Sequence, residues 1–279
     1  MARKPMQPRR PTPEAIASRA LAILLAISLA LPARAADRQR IATINVAATT
    51  LFTYLSCVVQ KKARPRVCLS AGAVAGLGFY QAKRLAGKGD ITTGWLVANL
   101  ATSVVENTTA GEHPLSRLGY TFGPMRLRVA TPFDAGGESL VDVDLSLAET
   151  GYLIRAFDDA DDVDIRDGMI WWETENQDRN DEGTIFNGYT WGIYPGTWRR
   201  APDHTWSHEA VHAIQAMQLD SVEPPLYTVT RERRLFRVRH IRGGAVNVAD
   251  NLYWGQRDYE DRWAEIEAFR LSTDTAPPR

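Results

Sequence analysis

Residues 205–215 read TWSHEAVHAIQ, and no other stretch constrains the fold as much. His208 and His212 stand four apart, with Glu209 directly after the first. A helix brings residues at that spacing onto one face, one turn apart. Two imidazoles placed this way can both reach a single ion at about 2.0–2.1 Å. Glu209 lies one step round the helix, near the ion without being forced to bind it, where a carboxylate can take a proton from an activated water. The flanks agree with a helix. Asp203 or Thr205 can cap its start, and Ala210, Val211, Ala213, Ile214 and Met217 make it apolar on more than one side. Such a helix is buried. Buried His and Glu need partners, because unpaired polar groups are costly there, and a metal ion supplies one.

A chain of 279 residues can enclose such a helix, as one substantial domain with additional segments. Lys and Arg number 33, as do Asp and Glu, so the formal net charge is zero. Nucleic-acid-binding proteins are usually basic overall, so no nucleic-acid partner is expected. The two cysteines, Cys57 and Cys68, form no CxxC pair, so cysteine-based zinc binding is not expected. They fit either one disulfide in an oxidising compartment or two reduced thiols on hydrophobic helices.

The chain opens with the basic stretch MARKPMQPRR, followed by the apolar run ALAILLAISLAL (20–31) and by Ala33 and Ala35 in an A-x-A pattern. Residues 1–35 thus read as an export signal, with the mature chain starting near Ala36. An uncleaved membrane anchor is the alternative, although the run is short for a span. Both readings send the rest to the periplasm or cell envelope. Residues 36–112 read as a hydrophobic helical module. Segments 41–59 and 91–105 carry no charge, and 67–80 is rich in small residues, with Gly72 and Gly76 in a GxxxG spacing. The basic turn KKARPR (61–66) joins the first and second apolar segments. Two accounts stand: a membrane hairpin with that turn on the cytoplasmic side, or hydrophobic helices packed on the domain downstream. Membrane association is expected, though 67–80 is short for a span.

From about residue 115 the pattern changes to period two. MRLRVATP (125–132) and LVDVDLSL (140–147) alternate apolar with polar residues, as half-buried strands do. GYLIRAF (151–157), DGMIWWETE (167–175) and GTIFNGYTWGIYP (183–195) are further strand candidates, giving an antiparallel meander upstream of the histidine pair. The acidic stretches DDADDVDIRDG (158–168) and DRNDEG (178–183) fail the calcium-loop template, the second because Tyr189 stands where a bidentate Glu is needed. Both are expected to be solvated turns. RERRLFRVRHIR (231–242) reads as a solvated helix or strand face, with an anionic-membrane contact or acidic-substrate rim as the sharper alternative.

TWSHEAVHAI resembles the extended signature of zincin metallopeptidases. Thr205 stands three places before the first His, Ala210 and Val211 are the uncharged residues between, and Ile214 is the hydrophobic residue two places after the second. The resemblance implies an α+β, zincin-like domain over 113–279, with an antiparallel β-meander upstream of the HExxH helix and the hydrophobic helical module before it. It implies a Zn2+ held by His208 and His212 with a third protein ligand, Glu209 as catalytic base, and a sheet edge that receives a peptide or protein substrate, GTIFNGYTWGIYP supplying a strand near the cleft. No further histidine stands at metzincin spacing, where Gln215 and Met217 occur. The gluzincin-like form takes its third ligand from a later helix, and RDYEDRWAEIEAFRLS (257–272) is a helical candidate. Its AEIEAF is similar to the E-x-x-A-D and ExEA motifs of bacterial zincin groups, whose first Glu is the ligand. That implies Glu265, with Glu267 as the alternative and Glu260 as a weaker third choice.

One departure matters. Phe269 stands where the E-x-x-A-D form has Asp, so the acceptor that orients a ligand histidine must come from elsewhere, such as Asp250 or a backbone carbonyl. Gln215 either lines the cleft or is hydrogen-bonded in the core. Tyr227, His240 and Tyr253 are positional candidates for an oxyanion donor. His204 is expected to face solvent and His113 belongs to no motif. The whole reading is an exported, membrane-associated zinc metallopeptidase, a hydrolase. Its rivals are a non-catalytic zincin-like envelope scaffold and an integral membrane protein with an incidental motif.

Overall fold

A computed structural model describes residues 36–61, 63–134, 139–175, 188–221, 236–239 and 263–272. Three helices come first: α1 (Ala36–Gln60), α2 (Pro65–Gly87) and α3 (Ile91–Thr109). Strands β1 (Arg117–Phe122), β2 (Met125–Ala130) and β3 (Val141–Ser146) follow, then α4 (Leu147–Asp159). Next are β4 (Asp162–Arg166), β5 (Met169–Thr174), β6 (Gly188–Trp191) and β7 (Tyr194–Trp198), then α5 (Asp203–Ser221), β8 (Phe236–Arg239) and α6 (Trp263–Ser272). The described residues thus form a mixed α+β protein.

Local chemistry sets the helix ends. Pro65 begins α2, where its missing N–H would have no partner anyway. Asp90 caps α3 by accepting from the Thr93 N–H at 3.3 Å. The GxxxG of α2 serves packing on α1: a Cβ on Gly72 would lie 2.7 Å from the Thr50 Cα, and one on Gly76 would lie 2.6 Å from the Val46 Cα. Cys57 and Cys68 form a disulfide that ties α1 to α2 beside the basic turn.

These helices do not stand apart from the rest. One hydrophobic cluster runs from Ile41 and Phe79 through Trp95 to Trp171, Val211 and Ala268. The inner faces are mixed with polar groups: Asn45, Thr49, Thr53, Lys83, Asn99 and Glu106 are buried. Gln218 of α5 donates to the Thr49 hydroxyl at 2.8 Å. The outer faces carry Phe52, Leu55, Val74, Leu77, Leu96 and Leu100, all exposed. This arrangement matches the account in which the hydrophobic helices pack on the domain downstream. Among the described residues, the segment Arg38–Val58 of α1 is long and apolar enough to cross a membrane, and 39% of its apolar 18-residue window is buried inside the protein.

The strands form two four-stranded sheets, ordered β1-β2-β3-β8 and β4-β5-β7-β6. β1, β2 and β3 make an antiparallel meander, whereas β8 joins β3 in parallel and β7 joins β5 in parallel. One expected strand is a helix: GYLIRAF lies within α4. Ser146 accepts from the Glu149 N–H at 3.2 Å, and this S-x-x-E start turns the chain into a helix directly from β3. The acidic stretch 158–168, expected as a turn, instead ends α4 and forms β4, where Asp162 and Asp164 lie exposed. DRNDEG, the export segment and the flanks of β8 in the basic run lie outside the described residues.

The first sheet is reversed in polarity. Arg126, Arg128, Asp142 and Asp144 are buried, while Met125, Leu127, Val129 and Val141 are 40–46% exposed. The reason lies on α3, which meets the sheet with polar side chains. Arg126 donates to Glu106 at 2.9 Å, Asn99 at 2.9 Å and Ser103 at 3.0 Å. Arg128 donates to Asn107 at 3.1 Å, and Arg117 pairs with Asp142 and, at 2.8 Å, with Asp134. In the second sheet, the buried apolar residues lie on β5 and β7, while Val163 and Ile165 of β4 are exposed. Met169, Trp171, Trp172 and Tyr194 are buried, and α5 packs beside them with Ala210, Val211, Ala213 and Ile214 fully enclosed.

Candidate metal centre

The spacing on α5 does what the sequence requires of it. His208 and His212 project from one face, with ring centroids 4.7 Å apart and planes at 77°. Their Nε2 atoms are 3.0 Å from one another. α6 crosses this face and brings Glu265 Oε2 to 3.2 Å from His208 Nε2 and 3.3 Å from His212 Nε2. His208 and Glu265 are each 7% exposed. Four ligands at about 2.0–2.1 Å in a tetrahedron stand about 3.3 Å from one another, so three atoms at these separations mark three of its corners. The residues present could therefore hold a metal ion, with a spacing compatible with tetrahedral ligation.

The donor chemistry agrees. Gln215 Oε1 lies 2.7 Å from His212 Nδ1. The Gln215 amide nitrogen donates to the Ala264 carbonyl at 3.1 Å and to Glu267 at 2.7 Å, so its oxygen is the end that faces the imidazole. An amide oxygen only accepts, so in the neutral ring Nδ1 carries the proton and the Nε2 lone pair faces the site. Gln215 thus orients His212, while Asp250, a candidate for such a role, lies outside the described residues. Phe269 packs its ring on His208 instead, with centroids 4.5 Å apart.

Burial disfavours the His212 charge, yet the Glu265 carboxylate outweighs this, with help from Glu209 and Gln215, and holds the imidazole up at about 9. Burial acts against the Glu265 charge too, but His212 and His208 overcome it and hold this carboxyl well below its ordinary range. Both shifts have one cause, a carboxylate facing two imidazoles, and these are the three groups that could hold a metal ion.

Glu209 is 3% exposed and stands outside the three-ligand group. Burial pushes its pKa up, opposed by His212 and His208, reinforced by Glu265 and tempered by a hydrogen bond from Thr190. That bond, from the Thr190 hydroxyl to Oε2, is 2.8 Å. Thr190 lies on β6, and β6 backs directly onto Glu209: a Cβ on Gly188 would be 2.9 Å from its Cγ. Glycine lets the strand come this close.

Glu267, the alternative ligand, is not in the group. It is 1% exposed and engaged by Asn45, by Lys83 at 2.8 Å and by Gln215. Burial draws the Lys83 pKa down and the Glu267 carboxylate opposes that. Glu260, Asp250, Tyr227, His240 and Tyr253 lie outside the described residues, and His204 is exposed at the start of α5. Sequence reasoning missed Thr190, Asn45 and Lys83. Lys83 gave one signal, a cation placed among small and apolar residues of α2.

No family model matches the chain, and no curated protein or solved structure matches it.

Proposed function

We propose that this protein is an exported, membrane-associated zinc metallopeptidase that hydrolyses peptide bonds in peptide or protein substrates. The observation that carries the reading is the tetrahedral-edge spacing of His208, His212 and Glu265, with Glu209 beside them but not among them. A zinc ion held by those three residues would polarise the scissile carbonyl and acidify a water at its open position. Glu209 accepts the proton of that water and passes it to the leaving amine, a task favoured by a carboxyl whose pKa burial has raised. Thr190 fixes the carboxylate for this exchange. Among the described residues β6 pairs only with β7, so its other edge is open to an extended peptide, which would lie alongside Glu209. The Cys57–Cys68 disulfide supports an oxidising compartment such as the periplasm, and the apolar outer face of α1–α3 supports membrane association.

The test is zinc stoichiometry and proteolysis on the wild type beside Glu209→Gln. The variant is expected to keep its zinc and to lose about 100- to 10,000-fold in cleavage rate, the range for a general base. Equal cleavage by the two proteins overturns the reading. Zinc bound without cleavage by the wild type favours the non-catalytic scaffold.

A further inference from the structure

The helices upstream of the sheets reach into the site described above, at a point its chemistry does not use. Glu267 is held from three sides. Asn45 of α1 donates to its Oε1, and Lys83 of α2 donates to its Oε2 at 2.8 Å. Lys83 also donates to the Asn45 Oδ1 at 2.7 Å, and the Asn45 amide further donates to the Ile41 carbonyl at 2.9 Å. Asn45, Lys83 and Glu267 are 3%, 2% and 1% exposed. The third contact is the Gln215 amide nitrogen, at 2.7 Å. Partners in this cluster are 184 and 222 residues apart in sequence, so it exists only when both ends of the chain are folded together.

We infer that α1 and α2 complete the metal centre, with Asn45 and Lys83 clamping Glu267, Glu267 fixing the Gln215 amide, and Gln215 fixing the tautomer of His212. The inference rests on the zinc reading of that site. An amide flips end for end with little change in shape, and only its partners decide its sense. Both Gln215 hydrogens are engaged, by Ala264 and by Glu267. Without the Glu267 carboxylate, the flipped amide would present a hydrogen to Nδ1. The imidazole would then carry its proton on Nε2, the atom that must face the cation. A buried carboxylate needs a partner of opposite charge, and Lys83 at 2.8 Å is that partner. Asn45, Lys83, Glu267 and Gln215 are thus positioning residues. The hydrophobic helices are a working part of the site, not a detachable anchor.

The experiment uses the full chain and two variants. Gln215→Leu removes the acceptor on Nδ1. The double variant Lys83→Met with Glu267→Gln removes the ion pair without leaving a buried charge alone. Zinc affinity is read by competition with a chromogenic chelator, and folding by thermal melting of the metal-free proteins. Gln215→Leu is expected to weaken zinc about 10- to 100-fold, the usual effect of losing a partner behind a ligand histidine, and the double variant several-fold with its melting point retained. Affinities within twofold of wild type in both folded variants overturn the inference. Nitrogen NMR of His212 in the metal-free protein, on the alkaline side of its titration, gives a readout that needs no zinc. Wild type is expected to show the proton on Nδ1, and a proton on Nε2 overturns the relay whatever the activity. A wild type that binds no zinc but shows Nδ1–H overturns the metallopeptidase reading and leaves the relay standing.

Discussion

Between α3 and the meander β1–β3, three arginines are buried, and each meets a carboxylate: Arg126 with Glu106, Arg117 with Asp142 and Asp134, and Arg128 with Asp144 at 4.0 Å. Between α5 and α6, two imidazoles and a carboxylate are buried with their lone pairs turned toward a common point. The first cluster is closed. Each arginine has a carboxylate partner, three cations against four carboxylates, and these internal contacts hold the sheet on α3. The second is open, because lone pairs that face each other repel unless a proton or a cation comes between them. Burial of polar groups alone does not mark a functional site; ligand atoms that converge on one point without a cation mark a candidate.

The contrast can be broken from either side. The largest effect is expected at the open cluster. Glu265→Gln should weaken zinc by more than the roughly hundredfold that an outer partner is worth, and abolish proteolysis, while the metal-free fold survives. Chelator competition and circular dichroism check this, and stoichiometric zinc in the variant would count against Glu265 as a ligand. At the closed cluster the outcome should invert. Arg126→Met leaves Glu106 buried without its cation and should cost about 3–5 kcal/mol of stability, measured by urea unfolding. Adding Glu106→Leu should recover much of that loss, as apolar replacement of a whole buried pair often does.

The smallest effect is a pH dependence. His212 is raised from 6.5 to about 9 in the metal-free protein, so the stability it contributes is complete below pH 6.5 and is lost as pH rises through about 9. Glu265 is lowered from 4.5, so its contribution is present above pH 4.5 and is lost as pH falls below it. Zinc competes with the His212 proton, so its affinity should rise over the window from 6.5 to about 9. Melting curves with and without zinc should therefore diverge with increasing pH. Parallel curves would mean that His212 is not a ligand.

What was legible in the sequence follows from range. The His208–His212 pair lies within one helical turn and could be read from local spacing, whereas Glu265 came from the resemblance of AEIEAF to known motifs, which left Glu267 open until α6 was placed. The sense of the first sheet could not be read locally. Period two states that Arg126 and Leu127 face opposite ways, but Asn99 and Glu106 on α3 decide which of them is buried. α4 was misread because alternation over seven residues suits a strand and a helix alike, and the discriminating signal was the Ser146–Glu149 cap. Gln215 stayed ambiguous because both partners of its amide nitrogen lie about fifty residues away, at separations of 49 and 52.

On the proposed relay, the tight crossing of α1 on α2 would make the helical wall a lever on the metal centre. A methyl group at Gly76 would strike Val46 and the Asn45 carbonyl, 2.9 Å from where its Cβ would stand. The backbone that must yield carries the Asn45 side chain, which in turn grips Glu267. Mutational tolerance should thus be lowest at certain small residues far from the reacting atoms. A permissive-looking glycine would be as unforgiving as a histidine.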